Sequence, residues 1–240
     1  MRTNEQKKAY IKKWLQDNRE VYLAQQKQWR TDNAKSRQIY EKNRREELRK
    51  KLLSHYGEEC ACCGESEQAF LCIDHIEGGG EIHRKKIGSG TKFQWWLVKN
   101  EFPSGFRTLC HNCNQCIWAH GQCIHKGPAT KTGGPRYEYM KQLRKEIRMK
   151  AIFHYGNGEI KCQCCGESHF EFLCLDHIEG GGKKHQQIVG RGSSFYSWLV
   201  NANFPPGLQV LCQNCNFGKG SSNQCPHILE NKNIKLPQSI

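Results

Sequence analysis

The chain has no run of eighteen apolar residues, and its opening MRTNEQKKAY lacks the apolar core of a secretion signal. These two absences give the expectation of a soluble, cytoplasmic protein with no membrane partner. A third absence is local: residues 1–53 contain no Gly, Pro or Cys. The same stretch carries sixteen Lys and Arg against seven Asp and Glu, so it reads as a basic helical arm. Its segments NREVYLAQQK and EKNRREELRKKLL are rich in strong helix formers. Tyr10, Trp14, Tyr22, Trp29 and Tyr40 recur without a strict heptad, so a long coiled coil does not follow. The arm is open to three readings: a solvated charged helix, a grip on nucleic acid, or a pairing surface between chains. Oligomeric state is left undetermined by the sequence.

The net charge of +14 and pI of about 9.2 point to an anionic partner. Cysteine is abundant instead of scarce, at fifteen residues. An odd count without a secretion signal argues against a disulfide scaffold and for metal held by reduced thiols.

From Cys60 the sequence repeats itself. Residues 60–125 align with 162–227 at a constant offset of 102, without a gap, and 34 of the 66 positions are identical. That is an internal duplication. SHYGEEC ahead of the first copy matches FHYGNGEIKC ahead of the second, allowing three inserted residues. Between the copies, KGPATKTGGP is a linker, and from about Arg136 a basic amphipathic helix leads into copy two. The expected organisation is an arm at 1–53, a first unit at 54–127, linker and helix at 128–150, a second unit at 151–229, and a tail at 230–240. Units of this size bury little apolar surface, so a structural metal is expected in each.

Two CxxC pairs frame each copy: Cys60/Cys63 with Cys110/Cys113, and Cys162/Cys165 with Cys212/Cys215. Two intervening residues let one turn aim both sulfurs at a single tetrahedral ion, and four thiolates suit a closed zinc site. Two structural Zn2+ sites are therefore expected. Gly64 and Gly166, directly after the first pairs, fit a knuckle turn that needs positive φ. Cys62 and Cys164 lie inside the knuckle as alternate ligands, while Cys72 and Cys174 read as packing residues in an apolar run. Cys123-x-His125 and Cys225-x-His227 recur, as do His55 and His154; they are candidates for a second metal site, although no complete four-ligand set is visible.

FLCIDHI and FLCLDHI read as short strands that end where a triple glycine opens a loop. GFRTLC and GLQVLC read as their partners, and CNQ and CNF as the start of a helix. Neighbouring strand residues point to opposite faces, so Asp74 and His75 need a twist to serve one site. Asp74 with Asn114, and Asp176 with Asn216, offer one carboxylate and one amide oxygen to a weakly held Mg2+ or Mn2+. His75 and His177 titrate near neutrality and suit the role of general base. The bland alternative is a capping Asp beside a structural His.

The pattern CxxCGE, FLxxDHIxGGGxxH, FxxWL, FPxG, LCxNCN, CxH resembles the HNH (His-Me finger, ββα-metal) endonucleases, and most closely their phage recombination endonuclease branch. It is similar to that of small phage and mobile-element HNH proteins and covers about two-thirds of the chain. The resemblance implies an α+β fold: two tandem zinc-stabilised fingers behind a long basic helical segment. It implies DNA as partner, with His75 and His177 as general bases and Asp74, Asn114, Asp176 and Asn216 as catalytic-metal ligands. His83 and His185 read as metal or phosphate contacts, or as plain loop or zinc-brace histidines. There are departures. Asn100, the nearest match to the family's middle Asn, aligns with Ala202. Copy two ends FGKG as the family does, whereas copy one reads QCIW and lacks a counterpart of Lys219. Lys219 reads as a phosphate contact, which makes copy two the better cutter. No small-molecule organic cofactor is called for. Two other functions remain open: a non-catalytic zinc-stabilised nucleic-acid-binding protein derived from such a nuclease, and a protein-interaction module.

Overall fold

The computed structural model describes residues 3–222 and 224–228, so the expected tail at 230–240 lies outside the described residues. The arm is three helices: α1 (Asn4–Asp17), α2 (Arg19–Asp32) and α3 (Ala34–Tyr56). Thr3 opens α1 with a capping box, its hydroxyl accepting from the Gln6 amide while the Gln6 side chain accepts from the Thr3 amide. The breaks fall at asparagines. Asn18 and Asn33 each turn the side-chain amide back to donate to the carbonyl four residues earlier, Trp14 and Trp29, both at 2.9 Å. Neither α1 nor α2 contains a buried residue, whereas α3 buries Leu48, Leu52 and Leu53. The boundary expected after residue 53 therefore falls inside a helix that belongs to unit one.

Unit one continues through strand β1 (Leu71–His75), helices α4 (Gly80–Ile87) and α5 (Thr91–Lys99), strand β2 (Phe106–Cys110) and helix α6 (His111–His120). Helix α7 (Pro135–Tyr155) then leads into β3 (Leu173–His177), α8 (Gly182–Val189), α9 (Ser193–Asn201), β4 (Leu208–Cys212) and α10 (Gln213–Ser222). Each unit holds one antiparallel two-stranded sheet. Asp74 pairs with Arg107 and His75 with Phe106 in the first; Asp176 pairs with Gln209 and His177 with Leu208 in the second. The fold is α+β, as expected. The stretch expected to be an open loop after the triple glycine instead holds two helices in each unit. Gly78 and Gly79 take the left-handed turn, and the third glycine starts a helix.

The lead-in helices carry matching side chains into matching places. Arg49 donates to the carbonyls of Gln68 and Leu71, and Arg148 to those of Phe170 and Leu173. Tyr56 donates to the Pro103 carbonyl at 2.9 Å, and Tyr155 to that of Pro205 at 2.7 Å. Each helix is thereby tied to the strand and to the turn that precede and follow the site. The boundary expected at 150/151 falls within α7 for the same reason that the one at 53/54 falls within α3.

The two units share a core. One buried cluster runs through Leu53, Phe70, Leu71, Leu109, Ile152, Phe172, Leu173, Leu199 and Val210. Their contacts are reciprocal. The Asn112 amide donates to Asn214 Oδ1 at 2.9 Å, and the Asn214 amide to Asn112 Oδ1 at 3.0 Å, between buried residues 102 apart. Phe70 packs on His227 with ring centres 5.0 Å apart, and Phe172 packs on His125 at 5.2 Å. Residue i touching j′ while j touches i′ is the signature of a twofold, isologous interface, here built inside one chain. The symmetry is not complete: His111 stacks on Phe217 at 3.8 Å, at positions held by Gln213 and Gln115 in the opposite copies. Burial, with the charge of Arg49 adding to it, pushes the His111 imidazole down to about 4, so the stacked ring is neutral.

Candidate functional site

The cysteine quartets assemble as the spacing predicts. The Sγ atoms of Cys60, Cys63, Cys110 and Cys113 all lie within 4.8 Å of one another, and so do those of Cys162, Cys165, Cys212 and Cys215. Gly64 and Gly166 take φ of 79° and 80°, the knuckle geometry expected of them. Cys110 and Cys212 also accept from the amides of Cys113 and Cys215 at 3.4 Å, which caps the start of α6 and of α10. Four crowded thiols cannot all ionise by themselves. Hydrogen bonds from Cys110 and then Cys113 pull Cys60 far below the usual thiol range, while bonds to Cys110 and Cys60 push Cys113 far above it. A tetrahedral divalent cation satisfies all four at once, so both groups are fit to hold zinc.

A second ligand group, absent from any local spacing, stands beside each quartet: Cys62, Cys113, Cys123 and His125 in unit one, and Cys164, Cys215, Cys225 and His227 in unit two. The missing member was the cysteine already counted in the first set. His55 and His154 belong to no metal group among the described residues. They stack on Phe102 at 4.6 Å and on Phe204 at 4.2 Å.

At the strand ends the side chains separate by face. Asp74 and His75 both remain in register with β2, and strand alternation sends them to opposite faces. Cys72 and Asp74 share one face by strand alternation. On it, Asn114 of α6 donates to Cys72 Sγ at 3.1 Å, and Arg107 contacts Asp74 Oδ2 at 3.1–3.2 Å. Asn216 bonds Cys174 likewise. Burial pushes the Cys72 thiol up to about 11 and the Cys174 thiol up to about 12, so both stay protonated packing groups, as expected of them.

His75 takes the other face. Its Nε2 lies 2.9 Å from Nδ1 of His83 on α4, and its ring stacks on Phe93 of α5 with centres 5.3 Å apart. Trp96 closes over His83 at 4.4 Å. In unit two, His177 meets His185 at 2.8 Å, and Trp198 closes over His185 at 4.7 Å. His83 and His185 are thus helix residues, and among the described residues neither belongs to a group of three or more candidate metal ligands. The third glycine has a steric reason: a Cβ on Gly80 or Gly182 would stand 2.8 Å from Nδ1 of His75 or His177. Burial first, then the neighbouring histidine, lowers the pKa of both His75 and His177, which favours the neutral imidazole.

The units differ in the cation on the aspartate. In unit two, Lys219 of α10 contacts Asp176 Oδ2 at 2.7 Å and also donates to the carbonyls of His177 and Ile178; Gln209 adds a bond at 2.8 Å. Unit one has Ile117 where unit two has Lys219, and Arg107 where unit two has Gln209. The cation lost from the helix is supplied by the strand. Arg107 could be found only from the register, since it lies 33 residues from Asp74. Asn100 caps α5 by donating to the Trp96 carbonyl and joins neither site. No helix among the described residues is long and apolar enough to cross a membrane. Comparison with known proteins found no matching family model, no matching curated protein and no matching solved structure.

Proposed function

We propose that the chain is a metal-dependent DNA endonuclease of HNH type with one hydrolytic site in each unit. The observation that carries this reading is a repeated division of labour at one strand end. An aspartate and a helix asparagine stand on one face, and a desolvated, neutral-leaning histidine stands on the other. A phosphodiester laid across the tip of β1 meets both faces at once. His75 and His177 take the proton of the attacking water, and His83 and His185 orient the imidazoles through the Nε2–Nδ1 contact. Asp74 with Asn114, and Asp176 with Asn216, fit a weakly held Mg2+ or Mn2+, an oxygen-seeking ion bound through few protein groups. Such an ion neutralises charge on the scissile phosphate and the departing oxygen. An ion at the carboxylates would take the place of Arg107 and Lys219, whose cationic groups would then be available to a phosphate. The net charge of +14 favours a polyanion, and the twofold relation of the units suits the antiparallel strands of a duplex or a branched junction.

A second reading, a zinc-stabilised nucleic-acid-binding protein without catalysis, is favoured by one observation: each aspartate already has a cationic partner. Supercoiled plasmid and a four-way junction, each with Mg2+ or EDTA, separate the two. The nuclease cuts with Mg2+, stops with EDTA, and loses cutting in the His75→Ala/His177→Ala double variant. Cutting by that double variant at the wild-type rate sinks the catalytic assignment. Binding of DNA with no cutting in any divalent ion leaves the second reading.

A further inference from the structure

We infer that each unit holds a dinuclear, thiolate-bridged zinc centre in which Cys113, and in unit two Cys215, is shared between an inner and an outer ion. The inner ion of unit one takes Cys60, Cys63, Cys110 and Cys113; the outer takes Cys62, Cys113, Cys123 and His125. This assignment stands independently of the nuclease reading.

Three observations carry it. The first is distance. With Zn–S bonds of about 2.3 Å and tetrahedral angles, two sulfurs on one ion stand about 3.8 Å apart, and a sulfur and an imidazole nitrogen about 3.5 Å apart. The inner set shows Cys63 to Cys110 at 3.8 Å, repeated by Cys165 to Cys212. In the outer set His125 Nδ1 lies 3.4 Å from both Cys113 and Cys123 and 4.0 Å from Cys62. His227 Nδ1 lies 3.4 Å from Cys215 and 3.5 Å from Cys225.

The second is burial with repetition. Cys113, Cys123, Cys215 and Cys225 are all buried, and the same four-ligand geometry forms in two units that differ at nearly half of their aligned positions. One ion in the inner set leaves Cys62, Cys123 and His125 gathered around nothing, twice. The third is electrostatic. Sharing one thiolate leaves the ion pair with one negative charge fewer than two separate sites would carry. The shared cysteine sits in the first turn of α6 or α10, where the helix N-terminus favours the anionic cluster.

The outer ion has a structural consequence. It orients the imidazole that packs on the other unit, His125 on Phe172 and His227 on Phe70. It also returns the segment after α6, and after α10, to the knuckle that begins the unit. The outer ions thus pin both sides of the internal dyad.

Native mass spectrometry of the full chain, prepared with zinc, reads the count directly. The expected result is four ions per chain, one for each ligand group, falling to three in His125→Ala. Full substitution with cadmium-113 should give resonances split by metal–metal coupling through the shared sulfur. A saturated wild-type count of two per chain overturns the proposal, and so does a count of four with no metal–metal coupling, because that removes the bridge. The wild-type count decides even if a variant fails to fold.

Discussion

Two units that began as one sequence hold the same aspartate with different cations. In unit two a lysine reaches down from the helix after the second strand; in unit one an arginine reaches across from the paired strand. The aspartate, the histidine pair, the glycine under the imidazole and the cysteine clusters are the same in both. The carboxylate has a positive neighbour in both units, but not the same one. Both carboxylates keep some exposure, so the pair adds little stability, and either cation on the same face can supply it. The sequence difference between the copies thus changes which residue pairs with the aspartate, not whether it is paired.

The comparison can be pressed at several points. Removing zinc is expected to have the largest effect. Structural zinc is worth on the order of 10 kcal/mol or more at neutral pH, so a strong chelator should unfold both units while α1 and α2, which bury nothing, keep their residual helicity. Far-UV circular dichroism with and without chelator checks this. Next come the histidines. On the proposed nuclease reading, His75→Ala and His177→Ala should each slow the strand cut by that unit about 10²–10⁴-fold. If the units are equivalent, either single variant turns a double-strand cut into a nick. If only His177→Ala matters, the arginine-for-lysine exchange is not functionally neutral.

The dyad offers a smaller effect. Asn112→Ala leaves the buried Asn214 amide without its acceptor, at a cost of about 1–3 kcal/mol, and Asn214→Ala should cost the same. Unequal losses in urea denaturation would show that the two halves of the interface are not equivalent. On the same reading, Gly80→Ala should lower unit-one cutting about tenfold by displacing His75, with a lower melting temperature because that ring is packed on Phe93, and Gly182→Ala should do the same in unit two. The smallest effect is at the cation. Arg107→Gln should cost about 1 kcal/mol or less, and adding Ile117→Lys should recover part of it by giving unit one the pairing of unit two. Denaturation midpoints of the two variants test whether the cation is transferable.

Much of this was legible in the residues. The quartets were readable because a CxxC turn presents both sulfurs by local geometry, and the strands because their apolar runs end at the glycines. The knuckle glycines followed from the same turn. The outer ligand group was only partly readable: Cys123-x-His125 stood out by recurrence, but one of the four members is counted in the first set and the group meets only after α6 folds back. Nor could sequence show that Asp74 and His75 stay on opposite faces, or that two helices follow the triple glycine.

The sequence alone determined the duplication, read by comparing the chain with itself, and the basic arm, the strands and the knuckle turns, which depend on neighbours close along the chain. Tertiary structure decided what depends on distant partners. It set the register that puts Arg107 on Asp74 and the packing that brings His83 onto His75. It also formed the twofold interface across which Asn112 and Asn214 exchange bonds. Local spacing constrains a turn or a strand, but a contact across 33 or 102 residues exists only once the core has closed.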